Sequence, residues 1–371
     1  MTRPRFPLLK TLQVNLRSLK PPPPHLRWDF DDAIKLQYLR AGLGTPTNLS
    51  VNWANLVYLQ TVVRSGLNQP IGILGTILDE FRLSLSSLSL CVSLRTLDCN
   101  LIGSFPVENL QPTIYLRHLE NLKITSDNFT CARFLSYLNT PSLKKADFNL
   151  SYFNLVLDGV ESWTSAFLNL SERSSFNLSE IFIQSVGRQN SYNDEFVDML
   201  RQLAHTSSIE LLTLLSAPPD RSPLPGRMME LLTVDPNLSQ EDQKEHLPYL
   251  TSFWYRGVVS FPIKLIIAMV ESRIKLQEKG DCKRAGHFLG PRGEASSLLA
   301  SALLNALPPL HFDVTYTNPN WIDEQDPQDV QYLGGLLEKI SSSERKCRLA
   351  PLEESLMRAY GFRDDLFDWG V

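Results

Sequence analysis

The stretch LENLKI at residues 119–124 spaces three apolar side chains as Leu-x-x-Leu-x-Leu, and the same phrase returns along the chain. Well-formed copies begin at Leu94, Leu119, Leu178, Ile209 and Leu250, and weaker copies begin at Leu9, Leu36, Leu56, Leu85, Leu143 and Leu307. This phrase is typical of the strand of a leucine-rich repeat, in which each unit supplies one strand and one returning helix or turn. A single unit cannot bury its own apolar face, so the pattern predicts stacked units.

The predicted fold is therefore α/β: an irregular leucine-rich-repeat solenoid, or horseshoe, with a parallel inner sheet and outer helices. The spacing is loose, because most steps between first leucines lie between 20 and 41 residues. The step from Leu85 to Leu94 is too short to hold a return element. Either one of these two phrases is not a repeat, or a piece of the chain is missing between them.

Apolar residues at helical spacing predict return helices between the strand phrases, beginning near Pro70, Val160, Asn193 and Pro262. The helix after Asn193 carries the strongest signals, with an N-cap residue, two acidic residues in the first turn and His205 at the end.

Residues 1–27 are predicted to form an N-terminal segment with a Pro-rich linker, residues 28–319 the repeat region, and residues 320–371 a capping tail with a helix over 330–340. A proline-rich recognition motif is the alternative interpretation of the four consecutive prolines at 21–24.

Two stretches lack the repeat pattern. Residues 216–247 are polar and rich in proline, and residues 277–294 are basic and contain glycine, so both are predicted to be loops. The basic stretch could also contact an anion or a partner.

Composition narrows the class of partner and the compartment. The net charge of −4 disfavours nucleic acid or an anionic membrane as the main partner. Five cysteines without a Cys-x-x-Cys pair suit reduced, mostly buried thiols, and the start of the chain has no apolar signal-peptide core. A cytoplasmic or nuclear location is expected. Six Asn-x-Ser/Thr sequons leave a secreted glycoprotein as a further alternative.

The strand phrase also predicts a binding surface, because the residues on either side of the second leucine point away from the core. On the concave face this gives a candidate protein-binding set: Tyr38, Arg40, Tyr58, Lys123, Phe182, Trp254, Arg256 and His311. Tyrosine, tryptophan and arginine often dominate interface energies, so a cluster of Phe182, Trp254 and Arg256 is a candidate anchor. A different register would instead bury Trp254 or Phe182 in the core.

Catalytic signals are lacking in the sequence. It contains no Gly-x-Ser-x-Gly elbow, no Gly-rich phosphate loop and no His/Cys pairing at zinc spacing. The expectation is a protein that is not an enzyme and that uses no metal or other cofactor.

Several phrases resemble the large fungal family of F-box proteins with degenerate leucine-rich repeats. They are residues 116–128 (LRHLENLKITSDN), 134–150 (FLSYLNTPSLKKADFNL), 247–257 (LPYLTSFWYRG) and 266–274 (IIAMVESRI). The resemblance covers roughly residues 28–316, the repeat region alone. It implies a substrate receptor of a Skp–cullin–F-box ubiquitin ligase, in which the repeats hold a target protein.

The family's F-box opens with Leu-Pro-x-Glu, a phrase that does not occur in this sequence. The ligase adaptor is therefore an expected partner only if an F-box lies upstream of Met1. The alternative is a stand-alone repeat scaffold that binds a partner without a link to ubiquitin.

Overall fold

The computed structural model describes residues 6–14, 28–41, 49–64, 85–102, 113–152, 161–187, 193–217, 223–235, 237–288, 311–316, 321–341 and 347–351. In these ranges strands and helices alternate, which confirms the α/β class and the parallel sheet. The chain divides into two compact units, the first within Met1–Gln189 and Thr206–Ile209, the second within Asn190–His205 and Glu210–Val371.

The strands of the first unit are β1 (Thr11–Val14), β2 (Trp28–Asp29), β3 (Tyr38–Ala41), β4 (Leu49–Ser50), β5 (Tyr58–Arg64), β6 (Thr96–Ile102), β7 (Ile114–Tyr115), β8 (Asn121–Asp127), β9 (Leu138–Asn139), β10 (Lys145–Tyr152) and β11 (Glu180–Gly187). Its sheet has the order β1-β3-β5-β6-β8-β10-β11, with parallel pairing throughout. Two short parallel pairs, β2 with β4 and β7 with β9, lie outside this sheet. The helices are α1 (Asn128–Ser136) and α2 (Trp163–Ser174).

The register is fixed where each strand begins. The two N–H groups at a strand entry donate to one carbonyl in the preceding repeat; for example, the N–H groups of Glu120 and Asn121 both donate to the Arg95 carbonyl at 2.9 Å. The same arrangement recurs at the entries of β3, β5, β6, β10 and β11 of this sheet. Because every entry is tied in the same way, equivalent residues of successive strands stand side by side.

The aligned apolar positions form the core on one face of the sheet. The second position of the phrase is buried in a row of Leu39, Leu59, Leu97, Leu122, Ala146 and Ile181, each at most 4% exposed. Helices cover this face: α1 packs on β8 and β10, and Phe148 contacts the rings of Trp163 and Phe167 at 5.2 and 5.0 Å between centroids.

The second unit contains β12 (Leu211–Ala217), β13 (Pro223–Leu224), β14 (Ser252–Val259), β15 (His311–Tyr316) and β16 (Cys347–Pro351). Strands β12, β14, β15 and β16 pair in parallel in that order, and β13 pairs with the end of β14. Its helices are α3 (Asp194–Thr206), α4 (Gly226–Leu232), α5 (Gln240–Lys244), α6 (Ile263–Phe288) and α7 (Pro327–Ser341).

Most strand phrases are confirmed, but the copy at Leu85 is wrong. Residues 85–89 are helical and end just before Leu94, so the first of the two closely spaced phrases is not a strand. Leu307 and Leu310 lie outside the described residues, as does the helix predicted near Pro70. The predicted helix after Asn193 is confirmed as α3, with the Phe196 N–H donating to Asn193 Oδ1 at 3.0 Å.

The loop predicted over residues 216–247 is wrong in its centre. Helix α4 begins after Pro225 and buries Met228, Met229, Leu231 and Leu232 completely. Pro225 directly precedes this helix with a φ of −69°, which suits the proline ring, and Pro223 lies in β13.

The loop predicted over residues 277–294 is also wrong as far as residue 288, because α6 continues to Phe288 without a break. The helix predicted over 330–340 is confirmed as α7. Strand β16 then extends the second unit's sheet into the segment predicted to be a capping tail. Among the described residues, no helix is long and apolar enough to cross a membrane.

A buried serine recurs within or directly after each of three return helices. The N–H of Thr140 donates to Ser174 Oγ at 2.9 Å, that of Leu178 to Ser207 Oγ at 3.1 Å, and that of Val234 to Ser272 Oγ at 3.0 Å. Each acceptor satisfies a backbone donor that lies about 30 to 40 residues earlier in the chain.

An arginine stands next to the serine in two of these helices. Arg173 donates to the Leu135 and Leu138 carbonyls at 2.9 Å, and so caps the end of α1. Arg273 is 3% exposed and donates to the Leu232, His246 and Leu247 carbonyls at 2.7 to 2.8 Å. The two arginines add donors to carbonyls near the ends of the preceding helix and turn, and the Leu247 carbonyl also accepts the Leu250 N–H at 3.1 Å.

Candidate protein-binding face

The face of the first unit's sheet opposite its helices carries side chains that are exposed or half-buried. This open face has three rows that cross the strands. Row 1 is Thr11, Tyr38, Tyr58, Thr96, Asn121, Lys145 and Glu180; row 2 is Gln13, Arg40, Gln60, Asp98, Lys123, Asp147 and Phe182; row 3 is Val62, Asn100, Thr125, Asn149 and Gln184. Neighbours within a row stand about 4.8 Å apart, the distance between paired strands.

Aromatic and cationic groups meet at the end of the open face that β3 and β5 form. The rings of Tyr38 and Tyr58 lie 6.3 Å apart, and the Arg40 guanidinium carbon is 6.0 Å from the Tyr58 ring centroid. Tyr38 is 45% exposed. An exposed tyrosine pair beside a planar cation offers a partner a large contact area that loses little conformational freedom on binding.

Charged groups pair across the middle of the face. Lys123 Nζ lies 3.7 Å from Asp147 Oδ2, Lys145 Nζ lies 2.6 Å from Glu180 Oε1, and Gln60 Nε2 donates to Asp98 Oδ2 at 3.0 Å. Signs alternate along row 2, so opposite charges stand next to one another instead of forming a patch of one sign.

Two carboxylates of row 2 are poorly compensated. Desolvation raises the pKa of Asp98, although Lys123 and Arg40 act in the opposite direction. Desolvation also raises the pKa of Asp147, which Lys123 lowers and Asp98 raises further. The Asp147 Oδ1 atom is buried and has no hydrogen-bond partner in the described part of the chain. Both groups therefore have acceptor capacity that a donor on a partner could use.

Row 3 consists mostly of amides and a hydroxyl. Asn100, Thr125, Asn149 and Gln184 are half-buried and occupy four successive strands, β6, β8, β10 and β11. Within the described ranges, no hydrogen bond, ion pair or ring contact engages their side chains. An amide carries both donor and acceptor groups, so Asn100, Asn149 and Gln184 form a short series of unused hydrogen-bonding groups.

The second unit presents its own outward positions. Trp254 is 38% exposed and stands opposite Thr213 on β12, and Arg256, two residues further on, is half-buried and stands opposite Leu215. Burial lowers the pKa of Arg256. The inward neighbours Phe253 and Tyr255 are buried, so the alternation along β14 assigns Trp254 to the surface and not to the core.

The structure brings only some of the predicted binding residues together. Tyr38, Arg40 and Tyr58 are adjacent, and Lys123 and Phe182 share row 2 with Arg40. The proposed anchor is divided between the units: Phe182 belongs to the first, and Trp254 with Arg256 belongs to the second. His311 opens β15 opposite Ser252, but its side chain lies outside the described part.

Row 3 was not predicted from the sequence. The strand phrase covers only the start of each strand, whereas β6, β8 and β10 are seven or eight residues long and continue past it. The polar residue directly after the third apolar residue of the phrase would not have been recognised. The available signal was the alternation itself, extended by one more outward residue as in Ile124-Thr125 and Phe148-Asn149.

Three buried thiols belong to the core and not to a site. Cys91, Cys99 and Cys131 are buried and free, as predicted, and desolvation raises the pKa of Cys91 to about 12 and that of the other two as well. Such thiols are protonated at neutral pH and react poorly. No group of three metal-ligating side chains occurs among the residues that the structure describes.

Comparison with protein-family models, with curated proteins and with solved structures finds no match to this chain.

Proposed function

We propose that this chain is a non-catalytic protein-binding module of irregular leucine-rich repeats, arranged as a solenoid, that holds a target protein on the outward faces of its sheets. We further propose that it is the target-recognition part of a Skp–cullin–F-box type ubiquitin ligase receptor. The first proposal rests on the open face; the second rests on the resemblance of the repeat phrases.

The open face supports target binding because its side chains are ordered by the strand register and yet are incompletely satisfied. The carboxylates of Asp98 and Asp147 are desolvated without full compensation. Natural structures keep such groups where they serve a function, since buried polar groups without partners cost stability.

Target binding is tested with face variants and matched controls. The partner is first identified by proximity labelling in cells of the source organism, and its affinity for the purified chain is then measured. The double variant Trp254→Ala/Arg256→Ala should weaken binding by about 100-fold or more, because buried tryptophan and arginine contacts are the costliest to lose.

The control is Tyr332→Ala on α7, which removes another exposed aromatic side chain of the second unit away from β14. It should change the affinity less than twofold. Equal affinities for the double variant and the control would contradict the assignment of β14 to the interface.

The ligase proposal needs its own test. The natural protein, tagged at its locus, should co-purify with the adaptor and the cullin together with the target. A stable complex with the target that contains neither ligase component would favour a stand-alone scaffold instead.

A further inference from the structure

The amides of row 3 point to a more specific partner than a folded protein surface. Asn100, Asn149 and Gln184 lie on the outward side of β6, β10 and β11, with Thr125 on β8 between the first two. Their alignment is maintained by the register of the sheet, so the row is a fixed feature of this unit.

Amide side chains match one chemical group especially well. A carboxamide offers an N–H donor and a C=O acceptor, the same pair that every peptide bond presents. Charged side chains offer only one of these two. A row of unused amides therefore suits the main chain of a polypeptide whose own hydrogen bonds are not already made within a helix or a sheet.

The length of the row fits a short extended segment. Four strands about 4.8 Å apart span roughly 14 Å, and an extended chain rises about 3.3 Å per residue. Four to five residues of a peptide that crosses the strands would cover the row.

Row 2 supplies the side-chain preference of such a segment. Asp98 and Asp147 stand next to row 3 on β6 and β10, two residues before Asn100 and Asn149. Asp147 Oδ1 is buried without a partner, and Asp98 is engaged by Gln60 through Oδ2. The accessible oxygen of Asp147 is Oδ2, which Lys123 approaches only to 3.7 Å, so a guanidinium or ammonium group on the peptide would add a shorter charge-assisted hydrogen bond to this half-buried carboxylate.

We propose that the open face of the first unit binds an extended polypeptide segment, holds its main chain with Asn100, Asn149 and Gln184, and accepts a basic side chain at Asp98 and Asp147. This inference rests on the proposed function, since it specifies the partner class of the same face. It also excludes a folded epitope as the main ligand there.

The first test uses an oriented library of acetylated and amidated heptapeptides. The central residue is fixed as Arg, Lys, Ala or Glu, and the flanking positions are degenerate. The purified full chain should retain the Arg and Lys pools at least several-fold better than the Ala pool, and the Glu pool least. Equal retention of all four pools would overturn the proposal.

The second test separates main-chain from side-chain recognition. Affinities are measured for the best peptide of the Arg pool and for the same peptide with Ala at its centre. The protein variants Asn149→Leu and Gln184→Met should each lower the affinity for both peptides roughly three- to tenfold, because each removes hydrogen bonds to the peptide backbone. Asp147→Asn should instead reduce the preference for Arg over Ala. Effects of Asn149→Leu or Gln184→Met that depend on the central residue would overturn the main-chain assignment.

Asn169→Leu on α2 is the matched control, since it makes the same substitution at an exposed asparagine of the same unit, on a helix. It should leave peptide affinity unchanged, and circular dichroism should show that all variants are folded. Equal losses for Asn149→Leu and Asn169→Leu would overturn the proposal.

Failure of this inference and failure of the proposed function can be told apart. If a folded target binds with an affinity that depends on Asp98 and Lys123 but not on the amide row, the extended-peptide proposal is wrong and the protein-binding function remains. If neither a target nor any peptide pool depends on the open face, and target binding does not depend on Trp254 and Arg256 either, both are wrong.

Discussion

Single side chains hold the returns between strands in place, and Arg273 is the clearest case. Burial lowers its pKa to about 9, still well above neutral pH, so the guanidinium remains charged inside the second unit. Its three carbonyl partners offset the cost of removing that charge from water. One of them belongs to Leu247, whose φ of 48° is unusual for a leucine.

We expect Arg273→Met to lower the free energy of unfolding by about 2 kcal/mol or more, because the Leu232 and His246 carbonyls lose the arginine as donor and the Leu247 carbonyl keeps only the Leu250 N–H. Urea denaturation of the full chain measures the change. Arg95→Met provides the control: its side chain is 62% exposed and its pairing with Glu120 spans 3.6 Å, so about 0.5 kcal/mol or less is expected. A similar loss in both variants would show that the buried carbonyls are satisfied in another way.

The carboxylate of Asp147, in contrast to the Arg273 guanidinium, destabilises the folded protein at neutral pH. Desolvation raises its pKa in the folded state, so the folded protein binds the proton more tightly than the unfolded chain does. Stability therefore falls as the pH rises from the unfolded-state pKa to the folded-state pKa of this group. At neutral pH the full cost of the desolvated charge is present.

We therefore expect Asp147→Asn to stabilise the protein at pH 7 by a few tenths of a kcal/mol, since solvent partly screens a side chain that is one-third exposed. The gain should shrink as the pH is lowered towards 4. Denaturation curves at several pH values measure it. A stability loss at pH 7 that is constant with pH would mean that the ion pair with Lys123 matters more than desolvation.

Helices and strands are coupled by the recurring serines of the return helices. Ser174 accepts the buried N–H of Thr140, and Ser207 and Ser272 do the same for Leu178 and Val234. Each serine thus satisfies a backbone N–H in the segment that leads into the strand before its helix.

At the scale of the element we expect Ser174→Ala to lower the free energy of unfolding by about 1–3 kcal/mol, because the Thr140 N–H is left buried and unpaired. Ser136→Ala is the control, since that hydroxyl is exposed and bonds only to the Arg133 carbonyl within its own helix. Amide hydrogen exchange should show faster exchange at Thr140 in Ser174→Ala alone. Unchanged protection there would mean that water replaces the hydroxyl.

Sequence patterns predicted elements well where local and long-range signals agree. The strand phrase located β3, β6, β8, β11 and β14, because leucine spacing reports both the strand and the core that it faces. The phrase at Leu85 failed because the same spacing also fits one turn of a helix. Helix α4 was missed because nearby prolines mask its apolar residues.

For the whole molecule, the class of fold could be predicted and the composition of the binding face only in part. Tyr38, Arg40 and Lys123 could be assigned to the open face from alternation. The partners of these three residues, and the presence of the amide row, depend on neighbouring strands that lie about 20 to 40 residues apart in sequence. A single sequence does not report such pairings.

The strand entries described above have a consequence for synthesis. In the main sheet of the first unit, both N–H groups at the entries of β3, β5, β6, β8, β10 and β11 bond to a carbonyl that precedes them in the chain. A strand leaving the ribosome therefore meets a neighbour that has already been made, and the sheet can grow in the order of translation. None of these six entries waits for a segment still to be synthesised, which shortens the time during which an apolar strand edge is exposed to other nascent chains.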